Sequence, residues 1–292
     1  MIVLPVIKGP RPGGGQMDWS NMDILFFKAA LAAYLAATVG YLVSLVAKRV
    51  VLAKASTWIL GLAVALHTVH FLFVFSERGV NIAVNLFEAM SFFAWIVAGA
   101  YLALQIRTKT RVLGAIVAPF AVLLMMLASL SLEGTLAIPD ALQGRLVPIH
   151  VTLSIIGEGL FALASLAGVM YCIQDRQIRQ RRMGALARYL PSLGDLDNIN
   201  HAGLLWGFPL LTLGLITGSL WARTAWDGSN WATDPKTIWS FAVWCFYAFL
   251  LHQRLAIGWK GRKIAVLSIA ALVVLISAFI GVNFVSSVHR FT

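Results

Sequence analysis

The most regular pattern in this chain is a series of eight long apolar runs separated by short polar segments. The runs lie at about 24–47, 56–75, 86–106, 112–130, 148–173, 201–222, 237–256 and 263–284. A helix of about twenty apolar residues is long enough to cross the hydrocarbon core of a bilayer. Membrane β-strands are shorter and alternate between apolar and polar residues, so the pattern excludes a barrel. It predicts an all-α polytopic membrane protein with about eight transmembrane helices.

Composition supports the membrane prediction, because 60% of the 292 residues are hydrophobic and 12% are charged. A soluble domain carries about 25% charged residues. The net charge of +11 is distributed unevenly. With both termini on the periplasmic side, the inner loops contain fifteen basic residues and the outer segments seven. Basic residues are retained on the cytoplasmic side of a membrane, so the charge sets the topology and no nucleic-acid partner is expected.

This topology divides the chain into four segments. They are a periplasmic lead over 1–23, five transmembrane helices over 24–173, a basic cytoplasmic loop over 174–200 and three transmembrane helices over 201–292. The last segment carries a periplasmic loop over 221–239. The first apolar run is too long for a cleavable signal peptide, so we expect it to remain as a helix. Neither Cys172 nor Cys245 belongs to a C-x-x-C or C-x-x-C-H motif, so covalent haem is not expected on this chain.

The periplasmic loop is rich in tryptophan. Its nineteen residues include Trp221, Trp226, Trp231 and Trp239. Indole rings favour membrane interfaces and large planar ligands, so four of them around the turn at Asp234 predict an aromatic platform. The cations Arg223 and Lys236 are candidate partners for haem propionates, whereas the loop's aspartates are expected to shape turns.

Two histidines are predicted to share the outer face with this loop. His150 lies at the outer start of the fifth predicted helix, and His289 lies just beyond the outer end of the eighth. Neutral imidazole is a good axial ligand for haem iron, and a bis-histidine pair across one porphyrin is common. The alternative is that each is an ordinary interfacial polar residue.

Other polar groups lie within the predicted helices. His67 and His252 are at different depths, so a haem shared between them would require tilted helices. The alternatives are a helix-to-helix hydrogen bond for His67 and an interfacial position for His252.

Glu158 stands ten residues into the fifth predicted helix, where a carboxylate is costly and is usually functional or paired. It would neutralise a cation, relay a proton or stay protonated, and the sequence leaves these alternatives open.

Several motifs together resemble one known family. LWARTAWDGSNWATDPKTIWS is followed by YAFLLHQRLAIGWKGRKIA and FIGVNFVSSVHRF, and is preceded by VNLFEAMSFFAW and IHVTLSIIGEGLFALASLAGVMY. In this order they resemble the CcsA-type cytochrome c biogenesis family, haem-handling membrane proteins with a tryptophan-rich periplasmic domain. The resemblance covers about residues 60–292.

The resemblance implies that the chain presents haem at the outer face of the membrane for covalent attachment to apocytochrome c. It implies non-covalently bound haem b with His150 and His289 as outer ligands, and it assigns His252 to a membrane haem site. In the family the second histidine of that site is often on an associated subunit, and His67 is the candidate for it on this chain. It also implies a CcsB-type partner subunit and a location in the bacterial cytoplasmic membrane. The reactive thiols belong to the apocytochrome, so no catalytic residue is expected here, and synthase activity would require the partner.

The chain departs from the family pattern at a few positions. Thr233, Thr237 and Ile238 replace residues of the usual W-x-W-D-P-K-E-T-W core, and Glu158 occupies a position that is more often aromatic. These departures motivate a first alternative, a haem b subunit or regulator of a membrane complex that is not a synthase. Glu158 and the proline-interrupted helices motivate a second, a transporter of another solute.

Overall fold

The computed structural model of the protein describes residues 22–83, 85–108, 110–131, 144, 146–181, 191–225 and 233–285. Within these ranges the chain forms eight α-helices and no strand, so the all-α prediction is confirmed. The helices are α1 Met22–Ala47, α2 Val50–Arg78, α3 Leu86–Thr108, α4 Gly114–Ala128, α5 Leu146–Arg179, α6 Leu193–Ala225, α7 Pro235–Leu255 and α8 Arg262–Val285. Most of the N-terminal lead, Trp226, Trp231 and His289 lie outside the described residues, as does the side chain of Lys236.

The helices are those of a multi-pass membrane protein. Over the described residues, six helices are long and apolar enough to cross a membrane, and these are α1 to α6, with α4 counted together with the 3-10 turn before it. Each of the other two predicted spans also forms a helix, α7 and α8. The count of eight spans and the periplasmic position of both termini stay predictions.

The helices α5 and α6 extend into the segment that was predicted as a cytoplasmic loop. Beyond its apolar run, α5 continues to Arg179, whose Nε donates to Asp175 Oδ2 across 2.9 Å in an (i, i+4) pair. The start of α6 is capped by Ser192, whose Oγ accepts a hydrogen bond from the Asp195 backbone N–H across 3.0 Å. Local polar pairs thus prolong both helices after the apolar pattern has ended.

The helices pack as two groups of four that meet along α5. In the first group α1 packs against α2 and α4, and α3 packs against α2 and α4. In the second group α5 packs against α6 and α8, and α7 packs against the same two helices. Because α3 also lies against α5, helix α5 has neighbours from both groups and is the centre of the fold.

Glycines allow this central helix to approach its neighbours closely. A Cβ added at Gly157 would lie 2.8 Å from the Leu211 backbone nitrogen of α6. One added at Gly168 would lie 2.9 Å from the Ala265 carbonyl oxygen of α8. Small residues at such positions are the usual means by which membrane helices pack, because lipid supplies little hydrophobic driving force. The contact between α5 and α6 positions the candidate site.

Candidate functional site

The site is built around His150, in the second turn of α5. Its Nδ1 lies 2.7 Å from the carbonyl oxygen of Gly214 on α6. A carbonyl oxygen only accepts, so Nδ1 carries the proton and donates it, and the lone pair of the neutral ring is then on Nε2. Histidines that bind metals are commonly held in this way, with one ring N–H on a backbone carbonyl and the other nitrogen as ligand. The structure therefore holds His150 in a tautomer suited to an axial ligand.

The backbone of α6 fixes the plane of this imidazole. A Cβ added at Gly218 would lie 2.5 Å from His150 Nδ1 and 2.6 Å from Cε1, so the ring occupies the space that any side chain at that position would need. At Gly214 an added Cβ would lie 2.4 Å from the Oγ of Ser154, which follows His150 by one turn of α5. Sequence reasoning did not connect these two glycines with His150. Their G-x-x-x-G spacing opposite a histidine is the signal that it missed.

The two described ends of the tryptophan loop lie on helices next to His150. Trp221 is buried in the last turns of α6, one turn beyond Gly218. Trp239 is 39% exposed near the start of α7, and Arg223 is exposed at the end of α6. Pro235 occupies the first position of α7, where its fixed φ favours a helix start. The predicted platform residues that the structure describes thus lie at the end of α6, near His150, and at the start of α7.

His252 lies near the opposite end of α7. Its side chain is exposed, as are those of Phe241, Cys245 and Phe249, which occur at helical spacing on the same side of α7. The imidazole therefore projects from a face that is otherwise apolar.

His67 has a different environment. It is fully buried on α2, where its Nε2 lies 2.9 Å from Ser91 Oγ of α3 and its Nδ1 lies 3.5 Å from Tyr34 Oη of α1. Its ring stacks on Phe71 at a centroid distance of 4.8 Å. These contacts include the helix-to-helix hydrogen bond that was the alternative interpretation of His67. Because His67 is enclosed in one helix group and His252 is exposed on the other, the described residues do not bring the two imidazoles together.

A polar cluster that sequence reasoning missed lies two residues beyond His252. Arg254 donates from Nη1 and Nη2 to the two carboxylate oxygens of Asp197, at 3.0 and 2.6 Å. Its Nε donates to His201 Nδ1 across 2.9 Å, and the Gly261 N–H donates to Asp197 across 2.8 Å. The cluster ties the start of α6 and the end of α7 to the turn before α8. The available signal was Asp197 and His201 at (i, i+4) on α6, opposite an arginine.

The described helices and the His150 site are those of a multi-pass membrane protein. At one end of the closely packed helices α5 and α6, it holds an imidazole in the tautomer that can bind a metal through Nε2. The profile of the family described as Cytochrome C assembly protein matches residues 83–289. The chain belongs to this family. The match begins after α2, so α1 and α2 precede the matched region.

Individual relatives agree with this membership. The chain is 32% identical over 240 residues to "Cytochrome c biogenesis protein CcsA" of Prochlorococcus marinus (strain MIT 9312), covering 74% of this chain and 77% of the relative. It is 30% identical over 231 residues to the protein of the same name from Trieres chinensis, covering 68% and 74%. For that of Chlamydomonas reinhardtii the identity is 33% over 209 residues, covering 69% and 58%. The resemblance to the CcsA-type family is confirmed, and it supports a role in cytochrome c biogenesis.

Proposed function

We propose that this chain binds haem b non-covalently and presents it at the outer face of the membrane for covalent attachment to apocytochrome c. The observation that carries the proposal is the hydrogen bond from His150 Nδ1 to the Gly214 carbonyl, which orients the ring and makes Nε2 the nitrogen that would ligate iron. Family membership supplies the pathway, cytochrome c biogenesis.

The proposed site uses the end of the bundle where α5 begins, α6 ends and α7 begins. Haem iron would be ligated there by His150 and His289, and the porphyrin would lie against the tryptophans of the loop, Trp221, Trp226, Trp231 and Trp239. Arg223 and Lys236 would pair with the propionates, because guanidinium and ammonium groups form charge-assisted hydrogen bonds with carboxylates. The chain's contribution is orientation, since the thiols that become linked to the haem vinyl groups come from the apocytochrome.

The proposed topology has eight spans with both termini in the periplasm, in a bacterial cytoplasmic membrane. It places the tryptophan loop and His150 outside, and the Asp197 cluster inside. The excess of basic residues in the loops on the Asp197 side supports this orientation.

A second haem site is proposed at His252. Its exposed position on an apolar face of α7 leaves room for a ligand from outside the chain, and we propose a CcsB-type subunit as the source. The enclosed, hydrogen-bonded position of His67 favours a structural role for that residue.

The outer site is tested by absorbance spectroscopy of the detergent-purified protein, oxidised and dithionite-reduced, with a pyridine haemochrome assay. Wild type is expected to show b-type Soret and α bands, and His150→Ala/His289→Ala to lose most of them. His201→Gln is the matched control, because a glutamine oxygen can still accept from Arg254. Haem that survives in the double variant would contradict the outer site and direct attention to His252. A wild type without haem would reject haem binding altogether.

The role of the α6 backbone gives a further prediction. Gly218→Ala is expected to displace the His150 ring, because the new Cβ would lie 2.5 Å from its Nδ1. Loss of the group that orients a metal-binding histidine lowers metal affinity by about 10- to 100-fold. We therefore expect a similar fall in haem affinity, measured by haem titration of the apoprotein.

Gly99→Ala on α3 is the control for this prediction, because a Cβ added there meets nothing within 4 Å. It should bind haem as wild type does. Equal affinities for Gly218→Ala and Gly99→Ala would show that the α6 backbone does not position the ligand.

A further inference from the structure

Exposed basic side chains are concentrated where α5 ends and α8 begins. They are Arg176 and Arg179 of α5, Lys260 of the turn before α8, and Arg262 and Lys263 of α8. Because α5 and α8 pack against each other, the two parts of this group lie next to each other. We refer to these five residues as the basic patch, and the proposed haem site does not use any of them.

The carboxyl groups near the basic patch already have partners. Asp175 Oδ2 of α5 lies 2.9 Å from Arg179 Nε and 3.9 Å from Arg262 Nε, so guanidinium groups from two helices share one carboxylate. The other described carboxylates at this end of the helices are bound elsewhere, Asp195 by Ser192 and Asp197 by Arg254. The described residues 256–285 contain no Asp or Glu, so positive charge is in excess here.

The arginines of the basic patch are able to bind a further anion. Arg179 and Arg262 approach Asp175 through Nε, and their side chains are 66% and 63% exposed, so their Nη groups are accessible. A guanidinium group has five N–H donors in a planar fork, and this fork matches two oxygens of a phosphate. The resulting hydrogen bonds are charge-assisted and strong. A phosphate group is therefore a ligand that these side chains are suited to bind.

Exposed apolar side chains lie one helical turn from the basic patch, towards the middle of the helices. Ile173 precedes Arg176 by three residues on α5 and is 44% exposed. Val266 follows Arg262 by four residues on α8 and is 49% exposed. Residues at these spacings lie on the same side of a helix. A ligand with a phosphate at the patch and an apolar chain directed along the helices would contact both kinds of surface, and a phospholipid has this form.

Trp259 indicates that the basic patch lies at the level of the lipid headgroups. The Nζ of Lys263 lies 5.2 Å from the centroid of the Trp259 ring, a cation–π contact. Tryptophan is enriched at the interface between a membrane and water. Leu255 and Ile257, in the same turn, are each 56% exposed. The turn thus combines an interfacial aromatic ring, cations and exposed apolar side chains.

We propose that the basic patch binds an anionic phospholipid, with the phosphate at Arg262 and the arginines of α5 and the acyl chains along Ile173 and Val266. Basic pockets between the ends of membrane helices bind anionic headgroups in this way. Retention of basic residues on one side of a membrane depends on their number, whereas a headgroup site requires cations from different helices at one point. The shared contact of Arg179 and Arg262 with Asp175 meets the second requirement.

The test is native mass spectrometry of the detergent-purified full-length protein, titrated with phosphatidylglycerol or with phosphatidylcholine of the same acyl chains. Wild type should bind the anionic lipid more tightly. Arg262→Gln/Lys263→Gln should weaken phosphatidylglycerol binding by on the order of tenfold or more, because each basic residue near an anionic headgroup contributes about fivefold. Arg262→Lys/Lys263→Arg keeps both charges and should bind the lipid nearly as tightly as wild type.

Arg49→Gln/Lys54→Gln is the matched control, because it removes two exposed basic residues at the start of α2, in the first helix group. It changes the net charge by the same amount and should leave phosphatidylglycerol binding as in wild type. Equal weakening by the two glutamine variants would show that the net charge, and not the basic patch, attracts the lipid. That result would overturn the proposal.

Two measurements on wild type do not depend on the folding of a variant. Equal affinities for phosphatidylglycerol and phosphatidylcholine would overturn the proposal, because the headgroup charge would then have no effect. Inorganic phosphate that displaces phosphatidylglycerol at equal concentration would also overturn it, since the ligand would then be a soluble anion and the apolar side chains would not contribute. Retention of phosphatidylglycerol under this competition is the expected result.

Discussion

Cells that produce His150→Ala/His289→Ala in place of the wild-type protein are expected to lose covalent cytochrome c by on the order of tenfold or more. Losing only an orienting group already costs about 10- to 100-fold in metal affinity, and this double variant removes both proposed ligands. Haem staining of periplasmic and membrane fractions measures the yield. Added imidazole should restore part of it, because a free imidazole can occupy the cavity next to the Gly214 carbonyl.

The matched control for this loss is His201→Gln, because the structure places His201 in the polar cluster with Arg254 and Asp197. Its cytochrome c yield should equal that of wild type. A normal yield from the double variant at normal protein level would contradict presentation of haem at the outer face.

Asp197→Ala is expected to lower the free energy of unfolding by about 3–5 kcal/mol, because it leaves a buried guanidinium without its carboxylate. The side chains of Arg254 and Asp197 are 5% and 16% exposed, so water cannot replace the lost partner readily. The change would be measured by equilibrium unfolding in mixed micelles. Since Arg254 is two residues from His252, near the C-terminal end of α7, the same variant should loosen this end of the helix.

An ion pair with one exposed member provides the control. Arg179 pairs with Asp175 but its side chain is 66% exposed, so Arg179→Ala should cost at most about 1 kcal/mol. Removing both buried charges in Asp197→Leu/Arg254→Met should recover much of the loss, because no charge is then left unpaired. Equal destabilisation by Asp197→Ala and Arg179→Ala would show that the buried cluster does not hold the helices.

The candidate site could be predicted only in part. The sequence identified His150 through its position beside the tryptophan loop, but not the carbonyl that orients it, because Gly214 is 64 residues away. It left His67 open between a haem ligand and a helix-to-helix hydrogen bond, since both interpretations require only a histidine in an apolar run. The buried contact with Ser91 supports the second. Arg254 was counted only among the fifteen basic residues of the predicted inner loops.

The class of protein and most of its helices could be predicted from the amino-acid sequence alone. A membrane-spanning helix needs a run of apolar residues that are consecutive in the chain, so its position is a local property. The family motifs are equally local, and this is why the resemblance was detectable without a structure. The contacts between residues of different helices, in contrast, depend on how the helices pack. Helical periodicity places a residue on one face of its helix but does not specify which helix packs against that face. The packing of the helices therefore decided that His67 is enclosed and that His252 is exposed. It also decided that Asp197 and Arg254 form a buried pair.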